Sequence, residues 1–156
     1  YVGTGEILSV RQDLPEEMYA KRGGVFVSLK KEGQLRGCIG TICPVRDSIA
    51  EEIIENAISA SSRDPRFLAV EPEELDQLVY SVDVLGETEQ ISSKEELDVK
   101  HYGVIVSKGT RRGLLLPNLD GVDTVEQQIS IAKQKAGIPD DAEGLCLERF
   151  EVVRHF

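Results

Sequence analysis

The sequence predicts an α+β fold, mainly antiparallel sheet built from hairpins with flanking helices. Two pairs of strand-like runs predict it, at residues 25–29 with 35–39 and at 102–107 with 112–116, the first of each pair rich in β-branched and aromatic residues. Each pair brackets a short charged turn containing glycine, as a hairpin requires. Two stretches with apolar residues three and four apart supply the helices, and hairpins outnumber strand–helix–strand crossovers.

Taken in order, residues 1–23 are polar, with a turn-like Leu14-Pro15-Glu16-Glu17 and a break at Gly23-Gly24. Residues 25–29 form a strand, 30–34 a charged turn with Gly33, and 35–39 the returning strand. Pro44 is expected to open a helix running to about residue 61. Ile49, Ile53, Ala57 and Ala60, with Ala50, Ile54 and Ile58, give it a broad apolar face, and Glu51, Glu52 and Glu55 are expected to face water. Residues 63–72 read as irregular. Residues 78–85 read as a strand with Leu78, Tyr80, Val82 and Val84 on one side, and 86–98 as an acidic loop. After the second hairpin, Thr124 with Gln127 makes a capping box for a helix ending at Ala136. Gly137 suits its C′ position and Pro139 prevents continuation. Residues 145–153 are expected to form one last strand.

Gly24-Val25-Phe26-Val27-Ser28 echoes Gly103-Val104-Ile105-Val106-Ser107. Each is followed by a basic turn, an Arg-Gly pair, a proline and a helix. Either a hairpin-then-helix unit is duplicated, or hairpins select such residues independently.

At 156 residues the chain fits one domain, residues 1–156, and buries roughly 68–70% of its unfolded surface without needing a disulfide or a metal. The start at Tyr1 is expected of a truncated N-terminus or a fusion to upstream sequence. No run of about 18 apolar residues is present, and the first residues do not read as a signal peptide. The formal charge of -10, from 28 acids against 18 bases, opposes binding to a phosphate backbone, so a nucleic-acid partner is not favoured. Three cysteines without a CxxC pair predict a reducing, cytoplasmic setting and neither a disulfide framework nor a zinc site. With no P-loop, dinucleotide fingerprint or metal-ligand set, no cofactor is expected.

The most informative stretch is Leu35-Arg36-Gly37-Cys38-Ile39-Gly40. On an alternating strand Arg36 and Cys38 share a face. A guanidinium beside a thiol favours the thiolate, so Cys38 reads as a nucleophile or redox thiol with Arg36 as its counter-charge or anion-binding group. The other reading, a small buried hydrophobe, is the commoner fate of a free cysteine. Gly37 and Gly40 let a backbone approach a ligand closely. Cys146, between Leu145 and Leu147, suits a core or edge position. Asp64 and Arg66, in Arg63-Asp64-Pro65-Arg66-Phe67, either pair and cap local backbone or present a carboxylate and a guanidinium to a ligand beside Cys38. Neither His101 nor His155 lies in a catalytic motif, and Arg111-Arg112 is expected to face solvent.

As a set, residues 24–29, 35–40, Asp64-Pro65-Arg66-Phe67, residues 81–85, Leu115-Leu116-Pro117 and Lys135-Ala136-Gly137-Ile138 resemble the AMMECR domain family. That is the family of protein A in the AmmeMemoRadiSam system. The resemblance implies a larger and a smaller lobe, with residues 35–40 lining a cleft. It also implies Memo-like and radical-SAM proteins as partners, and no established biochemical activity. The chain lacks the three-cysteine cluster motif of a radical-SAM enzyme, so such chemistry would belong to a partner. The reading that follows is an enzyme-like domain binding a small anionic ligand or a modified side chain, without a membrane. The alternatives are a non-catalytic binding or scaffolding module and a nucleic-acid-related role.

Overall fold

The computed structural model describes residues 1–156. The chain forms two compact units: residues 1–85 with 153–156, and residues 86–152. Each is built on an antiparallel four-stranded sheet, so the expected α+β class with hairpins holds. No helix is long and apolar enough to cross a membrane.

The first unit opens with a short helix α1 (Glu16–Ala20), followed by β1 (Val25–Lys31) and β2 (Gln34–Thr41). Helix α2 (Ile49–Ser62) and β3 (Leu78–Leu85) come next. The sheet is completed by the last strand of the chain, β8 (Val152–His155), in the order β2-β1-β3-β8. Strand β2, which carries residues 35–40, is therefore an edge.

Alternation divides this sheet into two faces. Val25, Val27 and Leu29 are buried, and they are in register with Val84, Val82 and Tyr80 of β3 and with Ile39 and Gly37 of β2. This face packs on α2, with Ile49, Ile53, Ala57 and Ala60 in the same apolar cluster. Burying each such side chain contributes about 1.5–3 kcal/mol, which outweighs the weak helix propensity of the isoleucines. The opposite face carries Phe26 and Ser28 of β1, Cys38 and Gly40 of β2, and Ser81 and Asp83 of β3, in register across the strands.

Helix α2 starts at Ile49, five residues later than expected from Pro44. Ser48 is its N-cap, its side chain accepting from the Glu51 amide, and Glu51 and Glu52 occupy the first turn. It ends at Ser62 because Pro65 excludes the helical conformation at Asp64. Glu52 does not face water. It is 1% exposed, and its carboxylate accepts from the Thr41 hydroxyl at 2.6 Å and from the Val45 and Arg46 amides at 3.0 and 2.8 Å. Arg22 donates to the Arg46 and Pro44 carbonyls. Together they fix the loop that follows β2.

The second unit holds β4 (Glu89–Ile91), β5 (Gly103–Lys108), β6 (Arg111–Leu115), α3 (Val125–Ala136) and β7 (Cys146–Phe150), with sheet order β4-β7-β5-β6. The Thr124 capping box forms, and Gly137 ends α3 in the left-handed conformation at φ 70°. The acidic stretch expected as loop contains β4 and a 3₁₀ turn at Lys94–Glu96. The expected last strand is two, β7 and β8, separated at Glu151 and belonging to different sheets. Cys146 is exposed rather than in a core. Arg111 donates to the Gly137 carbonyl, and Arg112 pairs with Glu148 at 3.5 Å.

The hairpin-then-helix order recurs in both units, and each hairpin meets its helix through a glycine. A Cβ at Gly37 would stand 2.2 Å from the Ala60 carbonyl oxygen, and one at Gly113 would stand 2.1 Å from that of Ala132. Only glycine admits a helix backbone this close to a strand.

Candidate functional site

The expected partnership of Arg36 with Cys38 does not form. Leu29 is in register with Gly37, and the next residue, Lys30, with Leu35, so Arg36 is the skipped residue of a β-bulge. A bulge re-aims its side chain and breaks the alternation on which the expectation rested. Arg36 grips Glu74, with Nε donating to Oε1 at 3.1 Å and Nη2 to Oε2 at 3.0 Å. It also donates to the Leu68 carbonyl at 2.8 Å and the Ala69 carbonyl at 3.3 Å. Lys31 joins at 2.9 Å from Glu74. Arg36, foremost, and then the Glu71 amide hold Glu74 down at about 2, with Lys31 adding to the effect. Arg36 thus anchors residues 68–74 to the hairpin.

The cation beside Cys38 is Arg66. Its Nη2 donates to the Cys38 carbonyl at 2.9 Å, while the Cys38 amide donates to Asp64 Oδ2 at 3.0 Å. The Asp64–Arg66 turn therefore supplies an acceptor and a donor to the outer edge of β2, as a neighbouring strand would. Arg66 also closes a two-point grip on Asp64, Nε to Oδ1 at 3.0 Å and Nη2 to Oδ2 at 2.8 Å, and its own amide donates to Oδ1 at 3.1 Å. The Asp64 side chain is 2% exposed and that of Arg66 55%.

Arg66 holds the Asp64 carboxyl well below the usual carboxylate range despite burial, and the Cys38 and Arg66 amides assist. Arg66 is in turn held more firmly protonated, chiefly by Asp64, and the Cys38 side chain adds to that electrostatically. The guanidinium lies 5.4 Å from the centre of the Phe67 ring, which fixes its plane.

Cys38 is half-buried and a free thiol. The Ser28 hydroxyl, its register partner on β1, donates to Sγ at 3.4 Å. Ser81 is the register partner of Ser28 on β3, which gives a row Cys38–Ser28–Ser81 across three strands. Two residues along each strand, the next row on this face is Gly40–Phe26–Asp83. Asp83 is 1% exposed and is gripped by Arg154 of β8, Nε to Oδ1 at 2.7 Å and Nη2 to Oδ2 at 3.1 Å.

Of the six residues singled out in the sequence, the structure brings Cys38, Asp64 and Arg66 together and commits Arg36 elsewhere. Gly37 and Gly40 have packing reasons: Gly37 admits α2, and a Cβ at Gly40 would stand 2.3 Å from the Phe26 ring. Ser28, Ser81, Asp83 and Arg154 went unnoticed. The signal for the two serines and Asp83 was a polar residue alternating with apolar ones, Ser28 in Val27-Ser28-Leu29 and both Ser81 and Asp83 about Val82; nothing in the sequence marked Arg154. His101 is exposed, 2.8 Å from Glu151 and edge-on to Tyr102, and His155 is exposed on β8.

The helix side of this unit also holds an apolar cavity of about 340 Å³ whose walls include Leu29, Ile54, Ile58, Leu78 and Tyr80. Two of the hydroxyls on its walls bond to nearby carbonyls, Tyr80 to Leu75 and Ser61 to Ile58. It therefore offers little polar recognition, and the face carrying Cys38 is the better candidate for chemistry.

A Thermotoga maritima protein is 51% identical over 99% of this chain and 90% of its own length. A Clostridium acetobutylicum protein is 56% identical over 99% of this chain, but the match spans only 33% of that longer protein. The crystal structure of an uncharacterized protein from Pyrococcus horikoshii superposes with a TM-score of 0.89 at 34% identity, covering 99% of this chain and 82% of that one. The AMMECR1 family model matches residues 1–155, and with both distinctive motifs folded into a single hydrogen-bonded unit, the chain belongs to the AMMECR1 family.

Proposed function

We propose that this chain is an enzyme-like domain that binds a small anionic ligand, or a modified side chain delivered by a partner, at Cys38. One observation carries the reading: a half-exposed guanidinium, held by a buried carboxylate, stands beside a half-exposed thiol. Cys38 is the nucleophile or redox thiol. Arg66 meets the charge that develops on sulfur or arrives with the ligand. Asp64 positions Arg66, and the Ser28 hydroxyl donates to the sulfur. The partners are the Memo-like and radical-SAM proteins of the AmmeMemoRadiSam system. In support, the matched region is one third of the longer Clostridium protein, so the domain also occurs within a larger polypeptide. Three cysteines, none of them in a disulfide and two of them exposed, suit a reducing cytoplasm. Iodoacetamide labelling at neutral pH, read by peptide mass spectrometry, tests the reading. Cys38 should react faster than a model thiol, and a rate at or below the model's overturns the activated-thiol part.

A second reading is a non-catalytic scaffold. The packing of Gly37 and Gly40 and the edge-capping by Asp64 and Arg66 favour it, because each motif residue then has a structural reason. Co-elution with a purified Memo-like protein that survives Cys38→Ser supports the scaffold, and co-elution lost with the thiol supports the first reading.

A further inference from the structure

The apolar cavity on the helix side of the first unit has two kinds of wall. Helix α2 contributes Ile54, Ala57 and Ile58, and the sheet contributes Leu29 and Tyr80. Residues 1–8 supply the rest of the lining through Val2, Glu6 and Leu8, among others. Helix and sheet are tied by backbone ladders. Residues 1–8 carry neither helix nor strand, and their hydrogen bonds stay within the segment. The Gly5 amide donates to the Tyr1 carbonyl at 2.7 Å, and the Glu6 amide to the Thr4 hydroxyl at 3.2 Å. Apolar contacts, such as that of Val2 with the core cluster, hold the segment down. A wall held this way opens at low cost without unfolding the rest. Leu8 is 76% exposed and Tyr80 49%, so the cavity also reaches solvent as it stands.

Size and charge select the occupant. A volume of about 340 Å³ equals that of roughly eleven water-sized groups, so a chain of about eight carbons fits with room for a head group. Apolar walls reward such a chain in proportion to the surface it buries. Glu6 is the one acidic or basic side chain among the lining residues, and its carboxylate has no partner. An anionic head would meet it as a like charge, in a chain whose formal charge is -10. An ammonium head would meet an unpaired counter-charge.

We propose that this cavity binds a medium-length alkylammonium, its chain against Ile54, Ala57 and Ile58 and its head at Glu6. The site is separate from Cys38, which lies on the other face of the sheet.

Titration calorimetry with butylamine, hexylamine, octylamine, octanol and octanoate tests it on the intact chain. Burying one methylene is worth about fourfold in affinity, so each two-carbon step should tighten binding by up to about fifteenfold. An exposed ion pair at Glu6 adds up to about fivefold, so octylamine should bind tighter than octanol, and octanol tighter than octanoate. Glu6→Gln should bring octylamine to the octanol level and leave the chain-length steps unchanged. Ala57→Leu adds three carbons inside the cavity and should weaken octylamine about tenfold or more, with butylamine near the parent. Leu8→Ala, at an exposed wall position where folding is not at stake, should also weaken octylamine. Affinity that does not grow with chain length overturns the proposal, as does octanoate binding as tightly as octylamine. So does a dimer, seen by light scattering, that Leu8→Ala or Ala57→Leu dissociates, because a second copy then fills the cavity.

Discussion

Replacing Gly37 by alanine separates a packing glycine from a ligand-approach glycine. The new Cβ would stand 2.2 Å from the Ala60 carbonyl oxygen and 3.2 Å from its carbonyl carbon, whereas ordinary contact begins near 3.4 Å. Both partners are backbone, so no rotamer change relieves the overlap, and α2 must retreat from the hairpin by about 1 Å. That retreat loosens the layer formed by Val27, Leu29, Ile53, Ala57 and Ala60. Overpacking a core costs about 1–3 kcal/mol, and a backbone clash belongs at the upper end, so Gly37→Ala is expected to cost about 3 kcal/mol. Urea unfolding followed by circular dichroism measures it. Gly3→Ala is the control, since its Cβ meets only Leu75 at 3.8 Å and should change stability by less than about 0.5 kcal/mol. A Gly37→Ala protein as stable as the control refutes the packing argument and restores Gly37 as a residue kept for a ligand.

Two further predictions concern the carboxylates. Glu52→Gln leaves at least one of the three donors it satisfies without a good acceptor, so the Val45 and Arg46 amides should exchange hydrogen faster and stability should fall by about 1–3 kcal/mol. Unchanged exchange at both amides contradicts the role given to Glu52. Glu74 is lowered from 4.5 to about 2, chiefly by Arg36. A depressed carboxylate contributes stability that is full above its unfolded value and lost as pH falls through the folded one. The urea midpoint should therefore fall between about pH 4.5 and 2, and less steeply in Glu74→Gln. Parallel pH profiles for the two proteins would show that Glu74 is not a stabilising anchor.

The hairpins were legible because a β-branched run, a glycine-containing charged turn and a second apolar run leave few alternatives. The α3 boundaries were legible because Thr124, Gln127 and Gly137 each satisfy a specific orphan backbone group. The start of α2 was misplaced because Pro44 outweighed the Ser48–Glu51 cap signal. Nothing in residues 145–153 marks Glu151 as the point where the chain changes sheet, since no glycine or proline interrupts the run. The site was half legible. That Cys38 has a cationic neighbour was readable, but which arginine supplies it was not. A bulge at Arg36 depends on strand register, and Glu74 lies 38 residues away in sequence. The row through Ser28 and Ser81 depends on β1 pairing with β3, a choice made by tertiary packing rather than by either strand alone.

The most direct measurement compares alkylation of Cys38 in Arg66→Gln and Arg36→Gln, both with Cys43 and Cys146 replaced by serine. With Arg66 as the cation at the thiol, Arg66→Gln slows the reaction while Arg36→Gln leaves its rate near that of the parent. Slowing by Arg36→Gln alone would contradict the assignment.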